Sequence, residues 1–390
     1  MLRGNVRRLG ISTVVLVLPA AVLSWTGCSD DEATPPGQST NDAAVPANEA
    51  AAPADAGGPV DAGLAPKLDC TKDIGDGGVP GHLECTGLYQ SLRDKTVAPE
   101  ARPFRPGVEF WSDGAEKTRW VSLPAGAKID VSSWNDWVYP VGIKLWKEFK
   151  IGGKRIETRL YTKLATGWAH AVYRWNADET DAVRKDDGEK LAGLGPDGGT
   201  YEIPATDRCD QCHRGRKDKV LGLDAIGSGL ATASGQTLAK MASDGWLSAT
   251  PPATTLAYPG SDKAQKALGW LNANCGFCHN PNPDAMASFR VHLQVRATQL
   301  APGAQVPQLD PYLQGYCKDS TRSEPGTSEN YKLIRGGAPT RSLTSVLSGR
   351  RTAPDPSPQQ MPPIVSRAVD QQGHQLLDDW INELPACAAK

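Results

Sequence analysis

The sequence predicts an α+β, multidomain protein in which an N-terminal β-rich domain precedes a mainly α-helical region. At 390 residues the chain exceeds the roughly 250 to 300 residues at which one hydrophobic core stops growing. Seven of its eleven tryptophans fall between Trp111 and Trp175, among runs of β-forming residues. Helix-like spacing of apolar residues occurs later, as in the segment Val369–Ile381.

The N-terminus has the parts of an export signal: a basic stretch, an apolar stretch from Ile11 to Trp25, and small residues that end at Gly27. Leu23–Cys28 resembles a bacterial lipoprotein cleavage box, in which Cys28 becomes the acylated first residue of the mature protein. Simple cleavage with a soluble product remains the alternative. We expect an exported protein whose membrane anchor is Cys28, on the periplasmic side or at the outer membrane.

Residues 29–68 form a segment of mainly Ala, Pro, Asp and Gly with almost no large apolar side chain. Such a composition cannot bury a core, so it predicts a disordered tether.

The β-rich domain is predicted from two strand-like runs, Trp137–Phe149 and Ile156–Leu164, on either side of a Gly152-Gly153 pair. Two adjacent glycines tolerate positive φ angles and so indicate a tight hairpin. Gly167–Trp175 is the expected third strand. The clustered tryptophans are interpreted mainly as the core of this domain, and alternatively as the flank of a binding site.

Two pentapeptides carry the chemistry: Cys209-Asp-Gln-Cys212-His213 and Cys275-Gly-Phe-Cys278-His279. In C-x-x-C-H two thiols lie one backbone turn apart, so both can join the vinyl groups of one porphyrin while the histidine reaches the iron. Two copies predict two covalent haem c groups, with His213 and His279 as iron ligands.

Zinc and a thioredoxin-like dithiol are the competing interpretations of paired C-x-x-C units. The histidine that ends both copies disfavours a four-thiolate zinc site. Neither copy follows a predicted strand, which disfavours the redox dithiol.

A distal ligand for the second haem is predicted at Met361, within Gln360-Met361-Pro362-Pro363. Many small cytochromes c present their axial thioether on a Met-Pro loop before an apolar C-terminal helix. A gap-filling core methionine is the alternative.

The first haem has no equally good candidate for a distal ligand. Met241 lies in a predicted helix that ends at Gly245 and is better explained as a core residue. An open position or a histidine remains possible, and the candidate histidines are His82, His170 and His292.

Nine cysteines in an exported chain require an explanation. Cys28 is assigned to lipid and four others to the two motifs, which leaves Cys70, Cys85, Cys317 and Cys387. These four allow three pairings, of which Cys70 with Cys85 and Cys317 with Cys387 is favoured.

The predicted organisation has five parts, the last three being folded. They are a signal peptide at 1–28, a tether at 29–68, the β-rich domain at 69–200, a first haem segment at 201–262 and a second, cytochrome c-like domain at 263–390.

The order of motifs resembles a family of bacterial exported proteins, mostly uncharacterised, that join an N-terminal β-rich domain to c-type haem motifs. The resemblance spans about residues 85 to 384 and implies haem binding and electron transfer, without an established substrate. Asn272 stands where many members have His, and 227–230 replaces their Gln-Leu. The residues that carry the resemblance are Thr86–Tyr89, Phe110–Lys117, Arg119-Trp120, Leu123-Pro124, Pro140–Gly142, Leu145–Phe149, Glu157–Leu160, Ile203-Pro204, Leu221–Leu223 and Ala267–Pro281.

Electron transfer between periplasmic or cell-surface partners is therefore the expected function. A haem enzyme, such as a di-haem peroxidase or an oxidase-like protein with one open haem, is the alternative, and a sensory or structural lipoprotein is the third. The 42 basic and 44 acidic side chains nearly cancel, which excludes the positive field that nucleic acid requires. The sequence assigns no catalytic residue.

Overall fold

The computed structural model describes residues 68–288, 290–351 and 360–388. The predicted signal peptide, Cys28 and nearly all of the predicted tether lie outside these residues. The described residues all lie in one compact unit. Within the described ranges, no helix combines the length and apolar character needed to cross a bilayer.

Thirteen β-strands lie in the described part of the chain, and most are short. They are β1 (Tyr89–Ser91), β2 (Thr96–Val97), β3 (Arg102–Arg105), β4 (Glu116–Ser122), β5 (Lys144–Ile151), β6 (Lys154–Leu164), β7 (Gly167–Trp175), β8 (Ala182–Arg184), β9 (Glu189–Ala192), β10 (Thr200–Ile203), β11 (Ser234–Gly235), β12 (Asp319–Ser323) and β13 (Asn330–Lys332).

Seven of these strands form one antiparallel sheet in the order β11-β3-β4-β5-β6-β7-β8. Strands β3 to β8 follow one another as a meander, which needs only short connections. Three two-stranded sheets accompany it: β1 with β2, β9 with β10, and β12 with β13.

The predicted hairpin is confirmed at the centre of the sheet. Gly152 and Gly153 have φ angles of 57° and 78°, the double left-handed conformation of a two-residue hairpin. The predicted third strand is also confirmed. The first run begins later than expected, because Pro140 and the positive φ of Gly142 interrupt it before β5.

One face of the sheet is covered by the segment before β3. Trp146 and Trp175 are almost fully buried there, among Leu83, Leu88 and Tyr89 of that segment. Four of the seven clustered tryptophans are buried (Trp120, Trp137, Trp146 and Trp175) and fill a core, as the sequence indicates. A disulfide between Cys70 and Cys85 closes the segment, in the pairing that the sequence favours.

The opposite face carries a larger hydrophobic core to which the rest of the chain contributes. Val121, Leu145 and Tyr161 of the sheet pack in one cluster with residues such as Leu268 and Trp380, which lie far along the chain. A second disulfide, Cys317–Cys387, ties an insertion to the C-terminus, again as favoured from the sequence.

Seven α-helices occur among the described residues, and only two exceed six residues. They are α1 (Cys209–His213), α2 (Ala225–Gly229), α3 (Leu238–Ser243), α4 (Asp262–Asn274), α5 (Asp310–Gly315), α6 (Leu343–Ser348) and α7 (Gln371–Glu383). The short 3₁₀ helices are Asp76–Gly78, Leu83–Thr86, Pro196–Gly198, Thr206–Arg208, Ala297–Leu300, Val306–Gln308 and Pro339–Arg341.

The prediction of a mainly α-helical, cytochrome c-like region after the β-rich domain is wrong. The dominant element of the molecule is the seven-stranded sheet, and short helices joined by long irregular segments follow it. The reason is that apolar residues in these segments, such as Leu223, Leu247 and Leu256, pack in the core that the sheet begins. They do not need a helical face of their own.

Candidate functional site

The first C-x-x-C-H motif forms the single-turn helix α1 directly above the sheet. The Asp210 carboxylate accepts a hydrogen bond from Lys219 Nζ at 3.0 Å and one from the hydroxyl of Tyr161, on β6, at 3.3 Å. The His213 Nδ1 lies 2.6 Å from the Lys219 carbonyl oxygen. Because a carbonyl only accepts, Nδ1 carries the proton and Nε2 has the free lone pair.

An aromatic stack supports the His213 ring. Tyr161 lies beneath it with ring centroids 4.5 Å apart, and Trp168 stacks on Tyr161 at 4.9 Å. Burial lowers the pKa of His213 to about 4, so the imidazole is neutral at pH 7. A neutral, oriented imidazole is the form that binds a metal.

The second motif begins at the C-terminal end of helix α4. The Cys275 N–H donates to the Leu271 carbonyl at 2.9 Å, and the His279 N–H donates to the Cys275 carbonyl at 2.9 Å. His279 Nδ1 lies 3.1 Å from the Val291 carbonyl oxygen, so this ring also presents Nε2. Burial lowers the pKa of His279 below its ordinary value.

Two asparagines hold helix α4 in place near the second motif. Asn274 Oδ1 accepts from the Trp111 N–H at 2.6 Å, and Asn272 Oδ1 accepts from the Val295 N–H at 2.8 Å. Helix α7 packs along α4, with the Trp270 Nε1 donating to Asp370 at 2.8 Å. The predicted C-terminal helix is thus present, and it packs on the helix that leads into the second motif.

The two motifs touch. Cys278 Sγ lies 4.0 Å from the Gln211 carbonyl oxygen, next to Cys212, and the Cys212 and Cys278 thiols influence each other's titration. Gly215 lies so close to the second motif that a Cβ there would be 1.7 Å from the Phe277 carbonyl oxygen. Sequence reasoning gave no hint of this contact, because 65 residues separate Cys212 from Cys278.

The four motif cysteines are free thiols. Burial raises the pKa of Cys209 to about 11 and that of Cys275 to about 12. The hydrogen bond between the other two lowers the pKa of Cys212 and raises that of Cys278. Across the described ranges, no three His, Cys, Asp or Glu side chains are arranged to hold one metal ion, so the thiols do not converge as in a zinc site.

Met361 lies in a loop that hydrogen bonds hold close to the start of β4. Its N–H donates to the Leu347 carbonyl at 2.9 Å, and its own carbonyl accepts from Arg351. Farther along the loop the Arg367 N–H donates to the Asp113 carboxylate at 2.7 Å. The Trp111 N–H, two residues before Asp113, donates to Asn274 of α4, next to Cys275. The loop and the second motif are therefore both hydrogen-bonded to the segment 111–113.

Another thioether lies near the second motif, and sequence reasoning missed it. Met286 is partly buried, and the next residue, Ala287, donates its N–H to the Cys278 carbonyl at 3.1 Å. The sequence signal that could have identified Met286 is its position seven residues after His279. Met286 is therefore a rival to Met361.

The other candidates for the first haem differ in their environments. Met241 is fully buried in the large core, the role that the sequence favours for it. His82 bonds to Asp73, and His292 bonds to the Ser288 carbonyl. His170 lies beside Tyr161 and bonds through Nε2 to the Thr206 carbonyl, which leaves its buried Nδ1 without a hydrogen-bond partner in the structure.

A half-open cleft lies beside both motifs, lined by residues such as Phe110, Arg216, Asp224, Asn272 and Phe277. It contains about 430 Å³ of empty space, part of which is open to solvent. A large ligand would therefore have to displace neighbouring side chains or remain partly exposed.

Comparison of the chain with protein-family models, with curated proteins and with solved structures finds no match.

Proposed function

We propose that this protein is an exported, lipid-anchored c-type cytochrome that holds two covalent haems and transfers electrons between periplasmic or membrane partners. One observation carries the proposal: each C-x-x-C-H motif pairs two free thiols with a histidine whose Nδ1 is fixed on a backbone carbonyl. That hydrogen bond is the usual second contact of a metal-binding histidine, since it fixes the ring and leaves Nε2 for the metal.

The residues present fit haem at both motifs. Cys209 and Cys212 would provide the thioether bonds for one haem, and Cys275 and Cys278 those for the other. A bound haem supplies an iron that changes between the ferric and ferrous states by one electron. The chain attaches it, keeps the axial imidazole neutral and oriented, and brings the two attachment points into contact through the Cys212 and Cys278 thiols.

A haem enzyme with one open coordination position remains a second candidate. The observation in its favour is that Met241 lies wholly within the core and so does not offer its thioether to the first motif. The spin state distinguishes the two functions. Only low-spin iron would support the carrier, whereas a high-spin fraction that binds carbon monoxide would support the enzyme.

The proposed anchor is Cys28. Replacing it, Cys28→Ser, should release the protein from the membrane fraction without changing its haem content. Unchanged membrane association of that variant would mean that the anchor lies elsewhere.

Intact-mass measurement after periplasmic expression tests the haem proposal. Wild-type protein should carry two haem additions that survive acid denaturation. Cys209→Ala with Cys212→Ala should carry one, and the matching pair at Cys275 and Cys278 should also carry one. An unmodified wild-type mass from a host with haem-attachment machinery would overturn the proposal.

A further inference from the structure

Three cations lie side by side on the sheet face beneath the first motif. In the strand register Arg119 of β4 is opposite Lys147 of β5, and Lys147 is opposite Arg159 of β6. Directly opposed residues point to the same face, so the three side chains form one row, here called the cation row. Like charges in such positions destabilise a sheet.

Two of the three cations already have carboxylate partners. Arg119 donates to Glu109 at 2.8 Å, and Arg159 donates to Glu157 at 2.6 Å. Lys147, at the centre, has no hydrogen bond or ion pair with the described residues. Its Nζ lies over two phenyl rings, whose centroids are 5.7 Å (Phe110) and 4.8 Å (Phe149) away.

The charge around Lys147 is positive on balance. Arg119, Arg159 and Lys117 repel it as cations, and the carboxylate of Glu109 opposes them more weakly. Burial, and then repulsion from Arg119 and the other cations, hold the pKa of Lys147 well below its ordinary value. A carboxylate beside Nζ would reduce both the cost of burying the ammonium and its repulsion from the neighbouring cations, because it would solvate the ammonium and offset those charges.

The cation row also faces the first motif. Tyr161, which stacks on His213, is two residues beyond Arg159 on β6 and therefore lies on the same side of the sheet. Arg159 and Lys147 both act electrostatically on Cys212 and His213. An anion bound at the row would accordingly lie next to a group attached at Cys209 and Cys212.

We propose that the cation row Arg119–Lys147–Arg159 is a carboxylate-binding site for the acidic side chains of the porphyrin attached at the first motif, with Lys147 as its central ligand. This inference rests on the proposed function. Haem is amphipathic: its apolar ring suits the aromatic stack, and its carboxylates require cations or water.

The sign of a stability change tests the inference in the haem-loaded protein. Lys147→Met keeps the side-chain length and removes the charge. If no anion binds beside the lysine, this change relieves its repulsion from Arg119 and Arg159, which outweighs its attraction to Glu109, while the methionine sulfur still packs on the phenyl rings; Tm should then rise, by on the order of 2 °C. If the lysine holds a carboxylate, the change leaves that anion unpaired, and Tm should fall.

We expect Lys147→Met to lower Tm and to lower the reduction potential of one haem, because a positive charge near the iron favours the ferrous state. Lys147→Arg should retain the wild-type potentials. Lys150→Met is the matched control, since Lys150 is on the same strand but its Nζ pairs with Glu148 on the opposite face. It should leave both potentials unchanged.

Several results would overturn the inference. A rise in Tm for Lys147→Met with unchanged potentials would show that the row is only repulsive. A rise in Tm of the haem-loaded wild type with inorganic phosphate, abolished by Lys147→Met, would assign the row to a free anion.

If Lys147→Met cannot be purified, redox-induced infrared spectra of Lys147→Arg decide: shifted carboxylate bands support the site, and unchanged bands refute it. Absence of haem from the wild type would instead refute the proposed function, and the mass measurement distinguishes the two failures.

Discussion

Replacing Gly215 by alanine should drive the two C-x-x-C-H motifs apart. The added Cβ would lie 1.7 Å from the Phe277 carbonyl oxygen, whereas real Cβ contacts are not shorter than 3.0 Å. The backbone must therefore move by 3.0 − 1.7 = 1.3 Å. The obstacle is main chain, and Asn280 Nδ2 donates to the same carbonyl at 3.0 Å, so no side-chain rotation relieves the clash.

Overpacking of this kind costs about 1 to 3 kcal/mol. The lower entropy of the unfolded alanine chain returns about 0.4 to 1 kcal/mol of that. We therefore expect the free energy of unfolding to fall, with a drop in Tm of roughly 1 to 4 °C for a folded unit of this size. Thermal unfolding followed by near-ultraviolet circular dichroism measures the change.

Gly269→Ala is the matched control, because Gly269 lies in helix α4 and a Cβ there meets side-chain atoms only, the nearest at 3.1 Å. Alanine is intrinsically favoured over glycine in a helix, by about 1 kcal/mol. The control should therefore be neutral or stabilising. Equal Tm values for Gly215→Ala and wild type would refute the contact between the motifs.

Three further changes probe the rest of the structure. Cys317→Ser opens the loop closed with Cys387, whose separation of 70 residues predicts a loss of about 4 kcal/mol in the free energy of unfolding; an unchanged denaturation midpoint under oxidising conditions would contradict this. Asp370→Ala removes both the cap of helix α7 and the acceptor for an indole of α4, and should lower unfolding stability by about 1 to 2 kcal/mol in denaturant titration. Met361→Ala should abolish the ferric charge-transfer band of sulfur-ligated iron while haem stays attached, and loss of that band in Met286→Ala alone would transfer the ligand role to Met286.

Local sequence was sufficient wherever neighbours along the chain decide the structure. The Gly152-Gly153 turn and the strands on both sides of it follow from φ preferences and alternation. Helix α7 follows from apolar periodicity. The haem attachment proposed for the two pentapeptides rests on the same local logic, since both thiols and the histidine come from five consecutive residues.

The C-terminal fold was mispredicted because periodicity reports only whether a segment has its own apolar face. Leu223, Leu247 and Leu256 lie in irregular segments and are buried all the same. They pack in the core that begins on the sheet, so no long helix is required to bury them. A motif typical of helical haem proteins therefore occurs here on a mainly β scaffold.

By itself the sequence determined the two C-x-x-C-H motifs, the central hairpin, the cysteines left over for disulfides and the small net charge, because each depends on residue type or short spacing. Only the tertiary structure decided that Cys212 meets Cys278, that Tyr161 supports His213, and that Arg119, Lys147 and Arg159 form one row. Those contacts join residues from about ten to 66 positions apart. Strand register and chain packing bring them together, and neither can be read from local preference.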